Sequence, residues 1–226
     1  VRLLIIDNNI DHDSRGAPDL RREAAASGAT VHVRRAPEGD LPADPAPFDR
    51  ILVSGSKTSA LADAPWITSL LEFIRRAIDQ GKPFLGVCYG HQALVRALGG
   101  VESVRRGRES EIGWTRIERL GDGGPLFAGL PDTFYTFSSH VEEVARLPDG
   151  MKRLARSELC EIQACQLGDR PVFGIQFHPE KNGDDAEKTF AHWRREGTGP
   201  LLRAADTSKL YDPAVGATLF GNFFRA

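Results

Sequence analysis

Cysteine is scarce. Cys88, Cys160 and Cys165 are the three in 226 residues, an odd number with no CxxC pair, which argues against a disulfide framework and against a zinc site of ordinary ligand spacing. No run of about 18 apolar residues occurs, so no transmembrane helix is expected. A strand-like run, Leu3-Leu4-Ile5-Ile6, already stands near the start, so no signal peptide is expected either. An excess of one charge is also missing: the net charge is −2 and the pI about 6.3, which gives no electrostatic footprint for nucleic acid or a membrane surface. The short cluster Arg105-Arg106-Gly107-Arg108 is offset by Glu109 and Glu111 and reads as a solvated charged loop. There is no internal repeat and no low-complexity segment. A cytoplasmic location is the expectation, and a reducing compartment would keep a thiol free.

With 41% hydrophobic and 27% charged residues, the chain can bury one substantial core, and residues 1–226 have the length of a single α/β domain. Strand patterns at Leu3–Ile6, Val31–Val33 and Ile51–Val53 alternate with helical ones at 18–26 and 66–78, the latter with Ile67, Leu70, Leu71, Ile74 and Ile78 on one face. This alternation predicts a doubly wound, mostly parallel central sheet of flavodoxin-like type. From Ile112 the pattern changes to short β-like pieces at 114–117, 133–137 and 162–166, separated by turns such as Gly121-Asp122-Gly123-Gly124-Pro125. These predict an added small antiparallel sheet. A strand at 172–177, a surface helix at 184–195 with Phe190 and Trp193 on its apolar side, and a last helix at 214–224 complete the pattern.

The chemistry concentrates in Gly86-Val87-Cys88-Tyr89-Gly90, between the apolar Pro83-Phe84-Leu85 and the helical pattern from His91 to Leu98. A nucleophile on a tight strand-to-helix turn needs small flanking residues, because its backbone is strained and neighbouring chain approaches closely. A cysteine there sits at a helix N-terminus, where the unpaired N–H groups favour a thiolate. Cys160 and Cys165, in a strand-like run without glycine framing, read as structural. A second run, Pro171 to Glu180, ends in His178-Pro179-Glu180. In an open α/β sheet the carboxyl ends of the strands share one edge, so His178 and Cys88 can meet there, with Glu180 orienting the imidazole. His12, His32 and His192 take the default reading of surface or core residues.

On these residues the chain resembles the class I (triad) glutamine amidotransferases, in the subgroup similar to GMP synthetases. The carriers are Gly-Val-Cys-Tyr-Gly-His-Gln at 86–92 and Gln-Phe-His-Pro-Glu at 176–180, with weaker likeness at Val53-Ser54-Gly55-Ser56 and Phe137-Ser138-Ser139-His140-Val141. The resemblance implies hydrolysis of the glutamine γ-carboxamide through a γ-glutamyl thioester, with Cys88 as nucleophile, His178 as acid and base, and Glu180 as its orienting partner. It implies an oxyanion hole from the backbone N–H groups of Gly55 and Tyr89. Gln92, about one helical turn beyond Cys88, would contact the substrate amino acid, as would Ser139 and Val141. A polar loop is the ordinary alternative for 138–140. Neither metal nor cofactor is implied.

Two departures from the family pattern bear on substrate. The oxyanion loop reads Gly55-Ser56-Lys57-Thr58-Ser59, where many members carry Gly-Gly-Pro or Gly-Pro-Gly, and Ser56 and Lys57 would face the carboxylate end of the substrate. This loop is similar to that of stand-alone γ-glutamyl peptidases. The polar stretch at about 181–215 is longer than the usual connection and is expected to form a partner surface or a lid. Three functions follow. The first is an amidotransferase passing ammonia to a separate synthetase subunit. The others are a self-contained γ-glutamyl peptide hydrolase and a non-catalytic flavodoxin-like binding module. No Ser-Gly-Gly-x-Asp-Ser loop and no Walker A sequence is present to supply a synthetase in this chain. For the third reading, Asp7-Asn8-Asn9-Ile10-Asp11-His12 after the first strand has the wrong charge for phosphate.

Overall fold

The computed structural model describes residues 1–11, 16–195 and 210–226. Nine strands form one sheet in the order β2-β1-β3-β4-β9-β8-β7-β5-β6: β1 (Arg2–Asp7), β2 (Thr30–Arg35), β3 (Arg50–Val53), β4 (Phe84–Val87), β5 (Val104–Arg119), β6 (Thr133–Val144), β7 (Met151–Arg156), β8 (Ala164–Leu167) and β9 (Val172–Ile175). The first five in that order pair in parallel, and the remaining pairings are antiparallel. The antiparallel strands expected as an added small sheet continue the parallel ones, hydrogen-bonded to them through β8. The sheet also curls. Its edge strand β6 returns to residue 178, just beyond β9, through a bridge between Phe137 and His178.

Successive strand residues face opposite sides, and the apolar runs of the parallel strands feed two cores. Leu3, Ile5, Leu52, Leu85 and Val87 pack with α1 (Gly16–Ala25) and α5 (Pro213–Arg225) on one face. Leu4, Ile6, Ile51, Val53 and Phe84 pack with α2 (Pro65–Asp79) and α3 (Tyr89–Gly99) on the other. The predicted stripe of α2 is buried along its length, and Pro65 occupies its first turn, where a missing N–H costs nothing. Asp212 caps α5 by accepting from the Ala214 N–H at 2.9 Å, and Asn182 caps α4 (Gly183–Arg195) through the Asp185 N–H at 2.9 Å. Phe190 of α4 packs on Trp114 and Phe137. Trp193's side chain, His12 and residues 196–209 lie outside the described residues, as does that part of the 181–215 stretch.

One sequence expectation needs correction, and the polar-loop alternative for 138–140 is set aside. The cluster at 105–108 is exposed but is no loop: it is the first part of β5, which departs from regular pairing with β6 between Arg106 and Glu111. Arg105 pairs with Glu143 at 2.8 Å, and Glu111 turns inward rather than offsetting the arginines. Residues 138–140 lie within β6. Strand β7 carries no alternation to find, because adjacent Lys152 and Arg153 are exposed, adjacent Leu154 and Ala155 are buried, and its pairing with β8 shifts between Arg153 and Ala155.

Candidate active site

Cys88 joins the buried strand β4 to α3 with φ 51° and ψ −103°, the one positive φ at a non-glycine position among the described residues. Such a backbone costs about 1–3 kcal/mol and persists only where its surroundings enforce it. Here the Cys88 N–H donates to the Ile175 carbonyl of β9 at 2.7 Å. The two framing glycines have different neighbours: a Cβ on Gly86 would strike the Gly90 carbonyl, and one on Gly90 would strike the Val53 carbonyl of β3. The buried thiol thus stands at the first turn of α3, where backbone N–H groups have no intrahelical acceptor.

His178 follows β9, and its N–H donates to Phe137 of β6 at 2.7 Å. Its Nδ1 lies 2.6 Å from Glu180 Oε1, and the imidazole is close enough to the Cys88 sulfur to feel its charge. Burial alone would push the imidazole pKa down, but the charges of Glu180 and Cys88 outweigh it and hold it up at about 10. Glu180 is the converse: burial favours its neutral form, yet His178 and then Lys181 keep it below the ordinary carboxylate value. Helix α1 clasps this segment from outside. Arg22 donates to the Glu180 carbonyl and pairs with Asp19 and Asp185, while Lys181 pairs with Asp19 at 2.7 Å. No sequence pattern marks Arg22 or Asp19 for this, because their partners lie about 160 residues away.

Gly55 follows β3 and touches the pair directly: a Cβ there would lie 2.9 Å from His178 Cε1 and 3.5 Å from Cys88 Cβ. Its loop is braced by the acidic segment after β1. Asn8 donates from its backbone to Ser54 Oγ at 3.0 Å and from its side chain to the Ser54 carbonyl at 2.9 Å. Asp7, buried, holds Asn9 through backbone and side-chain bonds of 3.0 and 2.8 Å. Ser56 turns its hydroxyl to the Asn8 carbonyl at 2.8 Å and accepts from the Thr58 N–H at 3.0 Å, so its side chain shapes the loop. Lys57 is exposed and, with Asn9, Ile10, Asp11 and Thr58, lines an open groove of about 300 Å³.

From the other side, Gln92 donates to the Glu142 carbonyl of β6 at 2.7 Å and to Gln176 Oε1 at 3.1 Å. The Glu142 carboxylate in turn accepts from Ser59 Oγ and from the Ala60 N–H, tying β6 to the Gly55 loop. Ser139 and the exposed Val141 flank His140 on this strand. His140 is buried and pairs with Glu111 at 3.0 Å, and Glu111 also accepts from Ser157 at 2.7 Å and from Gln163. His91, inside the nucleophile motif, is a core residue: burial lowers its pKa to about 3, and it packs on Gly174 and Cys165. Cys160 and Cys165 are buried thiols whose pKa burial pushes up, Cys165 to about 12.

Glutamine-hydrolyzing GMP synthase subunits of Thermococcus kodakarensis and of Pyrococcus abyssi are 42% and 41% identical to the chain over 113 residues, 48% of this chain and 58% of each relative. The chain thus spans little more than half the length of these relatives. Among solved structures, a glutamine amido transferase from Methylobacillus flagellatus superposes with a TM-score of 0.85 at 24% identity, covering 99% of this chain and 94% of that one. A glutamine amidotransferase from Thermotoga maritima gives 0.82 at 22%, covering 99% and 97%. At these identities the likeness is one of fold. The family model described as glutamine amidotransferase class-I matches residues 10–193, most of the chain and every strand that carries the site except β1, and on that match the chain belongs to the class-I glutamine amidotransferases.

Proposed function

We propose that the chain hydrolyses the γ-carboxamide of glutamine and passes the ammonia to a separate synthetase subunit. The observation that carries this reading is the convergence of the Cys88 elbow and the His178–Glu180 pair on Gly55. Cys88 Sγ attacks the side-chain carbonyl carbon and the C=O π pair moves onto oxygen, where the N–H groups of Gly55 and Tyr89 receive it. Collapse breaks the C–N bond as His178 delivers its proton to the departing nitrogen, leaving ammonia and a thioester. His178 then takes a proton from water, whose oxygen attacks the thioester, and the thiolate leaves glutamate. Both amide protons of Gln92 are engaged, so its carbonyl oxygen is the end suited to the substrate α-ammonium, and Ser139 and Val141 would meet the α-amino and α-carboxylate groups through their backbone.

A partner synthetase is supported by the name of the matched relatives, each a subunit of a glutamine-hydrolyzing GMP synthase. The same reading takes residues 1–226 as one catalytic domain in which the stretch near 181–215 is an insertion, and places it in the cytoplasm. No helix among the described residues is long and apolar enough to cross a membrane. A second reading, hydrolysis of γ-glutamyl peptides, is favoured by Lys57, two residues beyond Gly55 and exposed, which would offer a cation to the carboxylate of a leaving amino acid. No observation favours the non-catalytic binding module.

Glutamate release from glutamine and from a γ-glutamyl dipeptide, each with a Cys88→Ala control, tests both readings. Slow Cys88-dependent release from glutamine is the expected result. A preference for the dipeptide would move the assignment to the peptidase, and no release from either, with or without a synthetase, would defeat both.

A further inference from the structure

We propose that Gln176 is a further catalytic residue, donating a hydrogen bond from its side-chain amide to the Cys88 sulfur, and that Gln92 acts through it as a positioning residue. Gln176 is 0% exposed, its backbone is held by the Gln163 carbonyl at 2.8 Å, and its Nε2 lies 3.6 Å from Cys88 Sγ. A primary amide has a donor end and an acceptor end, and only the donor end stabilises a thiolate.

The chain fixes which end faces the sulfur. The Glu142 carbonyl can only accept, so Gln92 must turn its NH2 toward it. The second proton of that NH2 then falls to Gln176 Oε1, and the Gln176 NH2 is left pointing at Cys88. A backbone carbonyl of β6 thus dictates, through two buried amides, that a donor meets the nucleophile. The other groups close to Cys88 are His178, with Glu180 behind it, from the end of β9, and Gly55 from the loop after β3. Among them Gln176 is a neutral donor that keeps its proton while His178 moves its own during turnover.

The inference rests on the proposed use of Cys88 as nucleophile, but its test requires no turnover. Alkylation of Cys88 by iodoacetamide is followed against pH by peptide mass in the full chain, in Gln176→Met and in Gln92→Met, with thermal unfolding to confirm the fold. Gln176→Met should displace the pH–rate profile upward by about one pH unit, the size of a lost hydrogen bond to a charged group. Gln92→Met should displace it in the same direction by less, because the Gln176 amide is then free to turn. A folded Gln176→Met with an unmoved profile overturns the proposal, as does an unmoved Gln92→Met profile if Gln176→Met fails to fold. If the profiles move while the unaltered chain releases no glutamate from glutamine, the relay stands and the proposed function falls.

Discussion

Cys88 holds a backbone conformation that its own β-carbon resists, and the strain is the means by which its sulfur is presented at the sheet edge. Replacing Cys88 by glycine should therefore make the protein more stable than replacing it by alanine, by about 1 kcal/mol in urea unfolding, although both abolish the nucleophile. A methyl group at Gly55 would meet the imidazole at 2.9 Å. Gly55→Ala should lower kcat on the order of 10²-fold, because the methyl group displaces the imidazole and the N–H proposed to receive the oxyanion, with little change in melting temperature. The His178–Glu180 pair should also appear in stability against pH. His178, raised from 6.5 to about 10, adds stability that is complete below pH 6.5 and lost as pH rises through about 10. Glu180, held below 4.5, adds stability that is complete above pH 4.5 and lost as pH falls through its depressed value. The gap in melting temperature between the unaltered chain and Glu180→Gln should be widest near pH 5–6 and close toward pH 10. A gap constant with pH would show that the pair is not ionised as the geometry requires.

The loop after β3 is held from two directions, by the segment after β1 and by Glu142 of β6. Removing the carboxylate in Glu142→Ala should cost about 2 kcal/mol of unfolding free energy, the range for hydrogen bonds to a charged acceptor, and should depress turnover beyond that loss because Gly55 rides on the loop. Elements were legible where their pattern was local. The stripe of α2 and the apolar runs of β1, β3, β4 and β9 appear in the sequence because each faces its core with nearly every residue or with a regular spacing. Strand β7 and the first part of β5 do not, because charged exposed residues and a shifted register hide their inward positions. For a different reason residues 138–140 of β6 admitted a polar-loop alternative: Ser138 and His140 are buried polar residues on a strand, and their burial depends on neighbours from elsewhere in the chain.

Over the whole molecule, α5 closes the core behind the site, with Leu219, Phe220 and Phe223 packed beneath the parallel strands. Phe223→Ala should cost about 3–5 kcal/mol in urea unfolding, as large core truncations do, and should leave the catalytic geometry of the surviving folded protein unaltered, which kcat per folded molecule would check. The sequence by itself determined the alternating α/β plan, the cysteine elbow with its glycines, and the His178–Glu180 spacing, because each depends on residues within a few positions of one another. Tertiary structure alone decided that the antiparallel strands join the same sheet and curl β6 back to His178, that Asp7 and Asn8 brace the Gly55 loop, and that Gln176 is the amide turned toward the sulfur. Those contacts join residues about 40 to 90 positions apart. Their hydrogen bonds exist only once strand order and register are set, and no local propensity encodes that order.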